Sequence, residues 1–219
     1  MYFAARETSS GKHCVGVATA STAKGPYAHA SNTSLACPIS QGGAIDPDGF
    51  IDTDGTIYVV YKIDGNSLDG DGTTHSTPIM LQEMHSDGVQ PVGTPIKLLD
   101  LSDLDGPLIE APSLMQKDGI YYLSFSSNWY NSEKYDTSYA YATSIRGPWK
   151  KQYAPHAPLL VTGTMTKNAG ALSAPGGADF SADGQRIIFH ANRNGHNISD
   201  GRALFVSDIK VGDNIISLA

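Results

Sequence analysis

Two carboxylates stand out by their spacing. Asp46 and Glu110 each lie nine residues before a glycine, Gly55 and Gly119, that closes an Asp-Gly pair. Glu110 sits in Leu108-Ile109-Glu110-Ala111-Pro112, an apolar setting that favours the protonated, proton-donating form of a carboxyl group. Asp46 sits in Ala44-Ile45-Asp46-Pro47-Asp48-Gly49, beside further acid and turn residues, where a charge is kept more easily. Two carboxyl groups held in opposite protonation states are the equipment of acid–base cleavage, glycoside hydrolysis above all. Taken singly, Asp-Pro-Asp-Gly is also plain turn chemistry. The shared spacing is what singles the pair out.

Other side chains can serve a polar ligand. Trp129 and Tyr130 follow the apolar run Tyr121–Ser127, at a strand end where an aromatic face can stack on a sugar ring. Asn128 and Arg193 follow similar runs and can hydrogen-bond hydroxyl groups. Nucleophilic serine chemistry finds no Gly-x-Ser-x-Gly elbow, and neither a Gly-x-Gly-x-x-Gly nor a Walker pattern is present. A net charge of −7 argues against a nucleic-acid partner. No apolar run approaches the ~18 residues of a membrane-spanning helix. Cys14 and Cys37 read either as one disulfide or as two buried thiols. Asn32-Thr33-Ser34 and Asn197-Ile198-Ser199 are glycosylation sequons, which together with a disulfide would suit a secreted protein, although Met1–Arg6, without a basic start or a long apolar stretch, does not read as a signal peptide.

The elements that must position these groups repeat along the chain. Asp54-Gly55, Asp118-Gly119 and Asp183-Gly184 each precede an apolar strand, and their glycines are 64 and 65 residues apart. An Asp-Gly pair between strand-like runs is a strong hairpin signal. Val15–Ala20 leads to Gly25-Pro26-Tyr27 and Tyr139–Ser144 leads to Gly147-Pro148-Trp149, with the Gly-Pro pairs 122 residues apart. The aromatic of this repeat, Trp149 in place of Tyr27, reads as packing. A period of about 60 residues with about four short strands predicts β-propeller blades. The fold class is therefore all-β, a single propeller domain over residues 1–219. The chain opens on Tyr2-Phe3-Ala4-Ala5, which resembles the run that follows an Asp-Gly turn, so roughly three and a half blades are expected. Blade edges left unpaired would favour self-association. Asp64–Gly72 is polar and Gly-rich and reads as an exposed loop, with a calcium loop as the sharper alternative.

At these residues the chain resembles glycoside hydrolase family 43, five-bladed propeller enzymes that act on arabinan, arabinoxylan and xylan. The matching motifs are Ile45-Asp46-Pro47, Phe50-Ile51-Asp52-Thr53-Asp54-Gly55, Ile109-Glu110-Ala111-Pro112 and Phe189-His190-Ala191. The resemblance implies inverting hydrolysis with Glu110 as general acid and Asp46 as the residue that orients it. It places His190 on the axial channel, where it would help hold a metal ion. No cofactor is implied as required, and a structural calcium ion in that channel is allowed for. The implied partner is an oligo- or polysaccharide, met outside the cell, with no nucleic acid and no membrane. The family's general base is an Asp of the first blade, and no residue of this sequence matches it, so a chain short of its first blade is expected. A non-catalytic carbohydrate-binding propeller is the alternative.

Overall fold

A computed structural model describes residues 1–68, 70, 73–167, 169–195 and 198–219. The strands, in chain order, are β1 (Tyr2–Arg6), β2 (His13–Thr19), β3 (Ala28–His29), β4 (Ala44–Ile51), β5 (Ile57–Ile63), β6 (Ile79–Met84), β7 (Pro91–Leu99), β8 (Ile109–Lys117), β9 (Ile120–Ser127), β10 (Asp136–Ala142), β11 (Lys150–Lys151), β12 (Met165–Thr166), β13 (Gly170–Ala171), β14 (Gly176–Phe180), β15 (Arg186–Asn192), β16 (Arg202–Gly212) and β17 (Ile215–Leu218). Helical structure among the described residues is confined to short 3-10 turns. Three sheets are four-stranded meanders, β4–β7, β8–β11 and β14–β17, and β1–β3 form a three-stranded one. All their pairings are antiparallel, as blades require. Strands β12 and β13 make a separate small hairpin.

The residues group into two compact units, Met1–Asp100 and Leu101–Ala219. The first holds β1–β3 and β4–β7 around a core that includes Val15, Ala44, Val59, Tyr61, Ile63 and Met84. The second holds β8–β11 and β14–β17 around Tyr122, Tyr139, Leu160, Ile187, Phe189 and Ile216, with others. In that second unit Ser113 donates to Asp179 at 2.6 Å, and the Gly177 amide donates to Ser126 Oγ at 2.8 Å. These bonds tie β14 to β8 and β9.

The repeats seen in the sequence are structural repeats. Strand β1 pairs with β2 and β2 with β3, the same order as β9, β10 and β11. Tyr27 donates its hydroxyl to the Ala23 carbonyl at 3.0 Å, and Trp149 donates its indole N–H to the Ile145 carbonyl at 3.1 Å. Each aromatic of the Gly-Pro repeat thus closes a turn onto the residue four before it.

A second repeat was hidden. The first strand of each four-stranded sheet carries a bulge at the same register. Ile45 pairs with Lys62 and Asp48 with Val60, so Asp46-Pro47 oppose Tyr61 alone. Glu110 pairs with Ser126 and Ser113 with Ser124, so Ala111-Pro112 oppose Phe125. Gly176 pairs with His190 and Asp179 with Ile188, so Gly177-Ala178 oppose Phe189. The first bulged residue has positive φ each time: Asp46 at 54°, Ala111 at 51° and Gly177 at 61°. The bulge frees one backbone N–H from the ladder, which is why proline fits at 47 and 112.

The register offsets the two equally spaced carboxylates by one position. Counted from the bulge, Asp46 corresponds to Ala111, and Glu110 corresponds to Ile45. The equal nine-residue spacing arises because the hairpin turns differ: Ile51 pairs with Ile57 across five residues, whereas Lys117 pairs with Ile120 across Asp118-Gly119 alone. The polar stretch from Asp64 also differs from an open loop. Asp64 is buried and lies 3.5 Å from the buried Lys62 ammonium, and Gly65–Leu68 form a 3-10 turn. Asp69, Asp71 and Gly72 lie outside the described residues, so the calcium-loop alternative does too.

Candidate active site

Glu110 stands on β8 directly before the bulge, after the buried Leu108 and Ile109. Its own side chain is half-buried, so part of it reaches solvent. The hydroxyl of Tyr135 donates to Glu110 Oε1 at 2.9 Å. Tyr135 is only 2% exposed and ends the loop that leads into β10. Room for its ring comes from β14: a Cβ built on Gly176 would stand 2.1 Å from Tyr135 Cε1. The ring stacks on the His190 imidazole, with centroids 6.1 Å apart and planes at 23°.

Arg202, the first residue of β16, braces this stack. Its guanidinium carbon lies 5.3 Å from the Tyr135 ring centroid. Its Nε donates to His190 Nδ1. Nη1 donates to the Tyr130 carbonyl and to Asn192 Oδ1, each at 3.0 Å. Nη2 donates to the carbonyls of His190, at 3.0 Å, and Ala174. All five N–H donors of the guanidinium are thereby used. Burial lowers the pKa of Arg202, against the pull of Tyr135, Tyr130 and the Glu110 carboxylate. Burial, and then the Arg202 charge, push His190 down to about 4, so its imidazole is neutral at ordinary pH. A guanidinium cannot accept, so Nδ1 is the acceptor and the ring proton sits on Nε2.

That arrangement bears on the metal expected at His190. The lone pair on Nδ1 is committed to Arg202, and Nε2 keeps its proton against Gly177, whose added Cβ would lie 2.2 Å away. Among the described residues no group of three His, Cys, Asp or Glu is gathered that could hold a metal ion. The described side chains do not fit a metal here, and His190 is a half-buried hydrogen-bond acceptor for Arg202.

The other candidates separate. Asn128, at φ 67°, spends its amide on the Lys134 carbonyl at 3.2 Å and on Asp136 Oδ2 at 3.4 Å, while Gly106 packs against its oxygen. It shapes the loop between β9 and β10 and is not directed at a ligand. Trp129 and Tyr130 are exposed on that loop, and Arg202 grips the loop through the Tyr130 carbonyl. Arg193 is exposed in the 3-10 turn Arg193–Gly195; the arginine brought to the acid is Arg202. Asp46 belongs to the first unit, at the positive-φ position of the β4 bulge. Tyr135 and Arg202 were missed by sequence reasoning. The one available signal was the Gly176-Gly177 pair, which marks a strand that other side chains must approach closely.

The four sheets are propeller blades, and the second unit sets a carboxyl group directly before a strand bulge, held by a buried phenol. The sequence model described as Glycosyl hydrolases family 43 matches residues 1–216, and the chain belongs to that family. It is a glycosidase. A thermostable family-43 glycoside hydrolase of known structure is 27% identical, with a TM-score of 0.79 over 100% of this chain and 70% of that one. An endo-1,4-beta-xylanase from Bacteroides thetaiotaomicron VPI-5482 is also 27% identical, with a TM-score of 0.71 over 100% of this chain and 74% of that one. A xylan beta-1,4-xylosidase from Bacillus halodurans C-125 shares the fold at 23% identity and a TM-score of 0.70, over 94% of this chain and 38% of that one. No curated protein matches the sequence.

Proposed function

We propose that this glycosidase hydrolyses the pentose polymers of plant cell walls, namely xylan, arabinoxylan or arabinan, with inversion at the anomeric carbon and Glu110 as general acid. The observation that carries the reading is the 2.9 Å hydrogen bond from a buried tyrosine to a half-buried carboxyl group, in a chain matched by family 43 over nearly its whole length. The 27% identity to an endo-1,4-beta-xylanase puts xylan first among the three polymers.

In the reaction, protonated Glu110 gives its proton to the glycosidic oxygen as the bond to the anomeric carbon breaks. Water adds to that carbon from the opposite face and loses its own proton to a base. This reading assigns the acid and leaves the base unassigned. For Asp46 the support is the Ile45-Asp46-Pro47 motif and its position at a bulge. Trp129 and Tyr130, exposed on a loop anchored by Arg202, supply aromatic faces for sugar stacking. Polymers of this size are met outside cells, and the Cys14–Cys37 disulfide suits an oxidising compartment, so we place the protein there.

The test is Glu110→Gln. Release of reducing sugar from xylan and arabinoxylan oligosaccharides should fall by about 10²–10⁴-fold, the usual worth of a general acid, with the melting temperature unchanged. A variant that keeps the wild-type rate would falsify the assignment. Calorimetric binding of the same sugars without any release by the wild type would point to a binding propeller instead.

A further inference from the structure

The terminal torsion of a glutamate side chain is broad and roughly two-fold, so backbone placement alone does not decide which carboxyl oxygen faces a substrate. Glu110 meets a donor that is itself immobile. The Tyr135 ring is 2% exposed, stacked against His190, and lies under the Arg202 guanidinium. Gly176 leaves no more than the width of the ring beside it. His190 in turn is pinned by Arg202, whose five donors are all spent on Tyr130, Asn192, Ala174 and His190. A chain of fixed contacts therefore runs from β16 through β15 to the phenol, and ends on one oxygen of the carboxyl group.

We propose that Tyr135 is a positioning residue for acid catalysis, fixing Glu110 so that Oε1 is the accepting oxygen and Oε2 carries the transferable proton. The proposal rests on the reading of Glu110 as the general acid. When Glu110 is protonated, its carbonyl-type oxygen is the stronger acceptor, so the bond from Tyr135 to Oε1 favours the acidic proton on the other oxygen. Holding that O–H in one direction matters only where the leaving group needs a proton. Xylo- or arabino-oligosaccharides have poor leaving groups and depend on it. A 2,4-dinitrophenyl glycoside departs as a stable phenolate and does not. Tyr135 touches neither substrate in this scheme; it acts through Glu110.

The experiment compares Tyr135→Phe and Glu110→Ala with the wild type on both kinds of substrate, using the pentose the wild type cleaves. Phenylalanine keeps the ring and its packing and removes the hydroxyl. For Tyr135→Phe, kcat on the oligosaccharide should fall about 10–100-fold with KM within about twofold, while the dinitrophenyl glycoside keeps its rate within about threefold. Glu110→Ala should show the same selectivity with a larger loss. Equal losses on both substrates from Tyr135→Phe, or no loss on either, while Glu110→Ala remains selective, overturn the positioning role and leave the acid in place. Equal losses from Glu110→Ala overturn the acid assignment and the positioning proposal together. Melting temperatures of both variants identify any loss that is merely structural.

Discussion

At the scale of single residues, the second unit sets two titratable groups, one buried and one half-buried, against each other. Asp136 starts β10, one residue after the tyrosine that holds the acid, and burial pushes its carboxyl group up to about 6. Hydrogen bonds from Ser127 and Ser138, each 3.0 Å, and from Asn128 offset this only in part, and the Asp105 carboxylate adds to it. The native chain therefore holds a proton that the unfolded chain releases between about pH 4 and pH 6. Stability from this group declines as pH rises through that window, by on the order of 3 kcal/mol. His190 runs the other way. Pushed down to about 4, it is neutral in the native chain where the unfolded chain is protonated, so its contribution grows with pH between about 4 and 6.5. Replacing Asp136 by Asn keeps the acceptor for Ser127 and Ser138 and removes one of these opposed terms. Urea midpoints of Asp136→Asn should therefore rise more steeply from pH 4 to pH 6 than those of the wild type. Parallel pH profiles for the two proteins would show that Asp136 is ionised throughout.

At the scale of elements, the bulge decides what each strand can offer. It puts Glu110 in the register of Ile45 and Gly176, and it puts His190 in the register of Ser126 and Lys62. Only in the last sheet do two glycines, Gly176 and Gly177, stand at the bulge, and it is there that Tyr135 and His190 lie against the strand. Gly176→Ala tests this directly. The added methyl group would stand 2.1 Å from the Tyr135 ring, which is itself buried and has nowhere to go. The variant should lose about 1–3 kcal/mol of stability, as overpacked cores do, and should lose oligosaccharide cleavage with it. An unchanged urea midpoint would mean that the strand yields and the glycine is dispensable. The same elements show what could be read beforehand. The hairpin turns Asp54-Gly55, Asp118-Gly119 and Asp183-Gly184 and the two Gly-Pro-aromatic segments were legible, because turn chemistry depends on near neighbours. Glu110 was legible through its apolar surroundings and its motif. Tyr135 and Arg202 were not, because they reach the acid from a loop and from the third strand of a different sheet. Nothing in a linear spacing encodes that approach. The same is true of the one-residue offset between Asp46 and Glu110, which depends on the turn lengths of two hairpins.

At the scale of the whole molecule, the covalent and spectroscopic features fall in different halves. The disulfide joins Cys14 on β2 to Cys37, across 23 residues, and both lie in the first unit. The two tryptophans of the chain, Trp129 and Trp149, lie in the second. A cross-link of this span stabilises by roughly 3 kcal/mol in the chain-entropy account, by restricting the unfolded state. The three-stranded sheet β1–β3 has fewer pairings than the other three and depends more on such a link. Removing the cross-link with the double variant Cys14→Ser/Cys37→Ser should therefore weaken the first unit before the second, since stability is not uniform along a chain. Far-ultraviolet circular dichroism sees strands in both units, whereas tryptophan fluorescence reports on the second alone. In urea the variant's dichroism transition should begin at lower denaturant than its fluorescence transition, while the wild type shows the two closer together. Coincident transitions, shifted together by the loss of the disulfide, would instead make the chain one cooperative unit, in which a link on β2 supports the Glu110 site as firmly as its own sheet does.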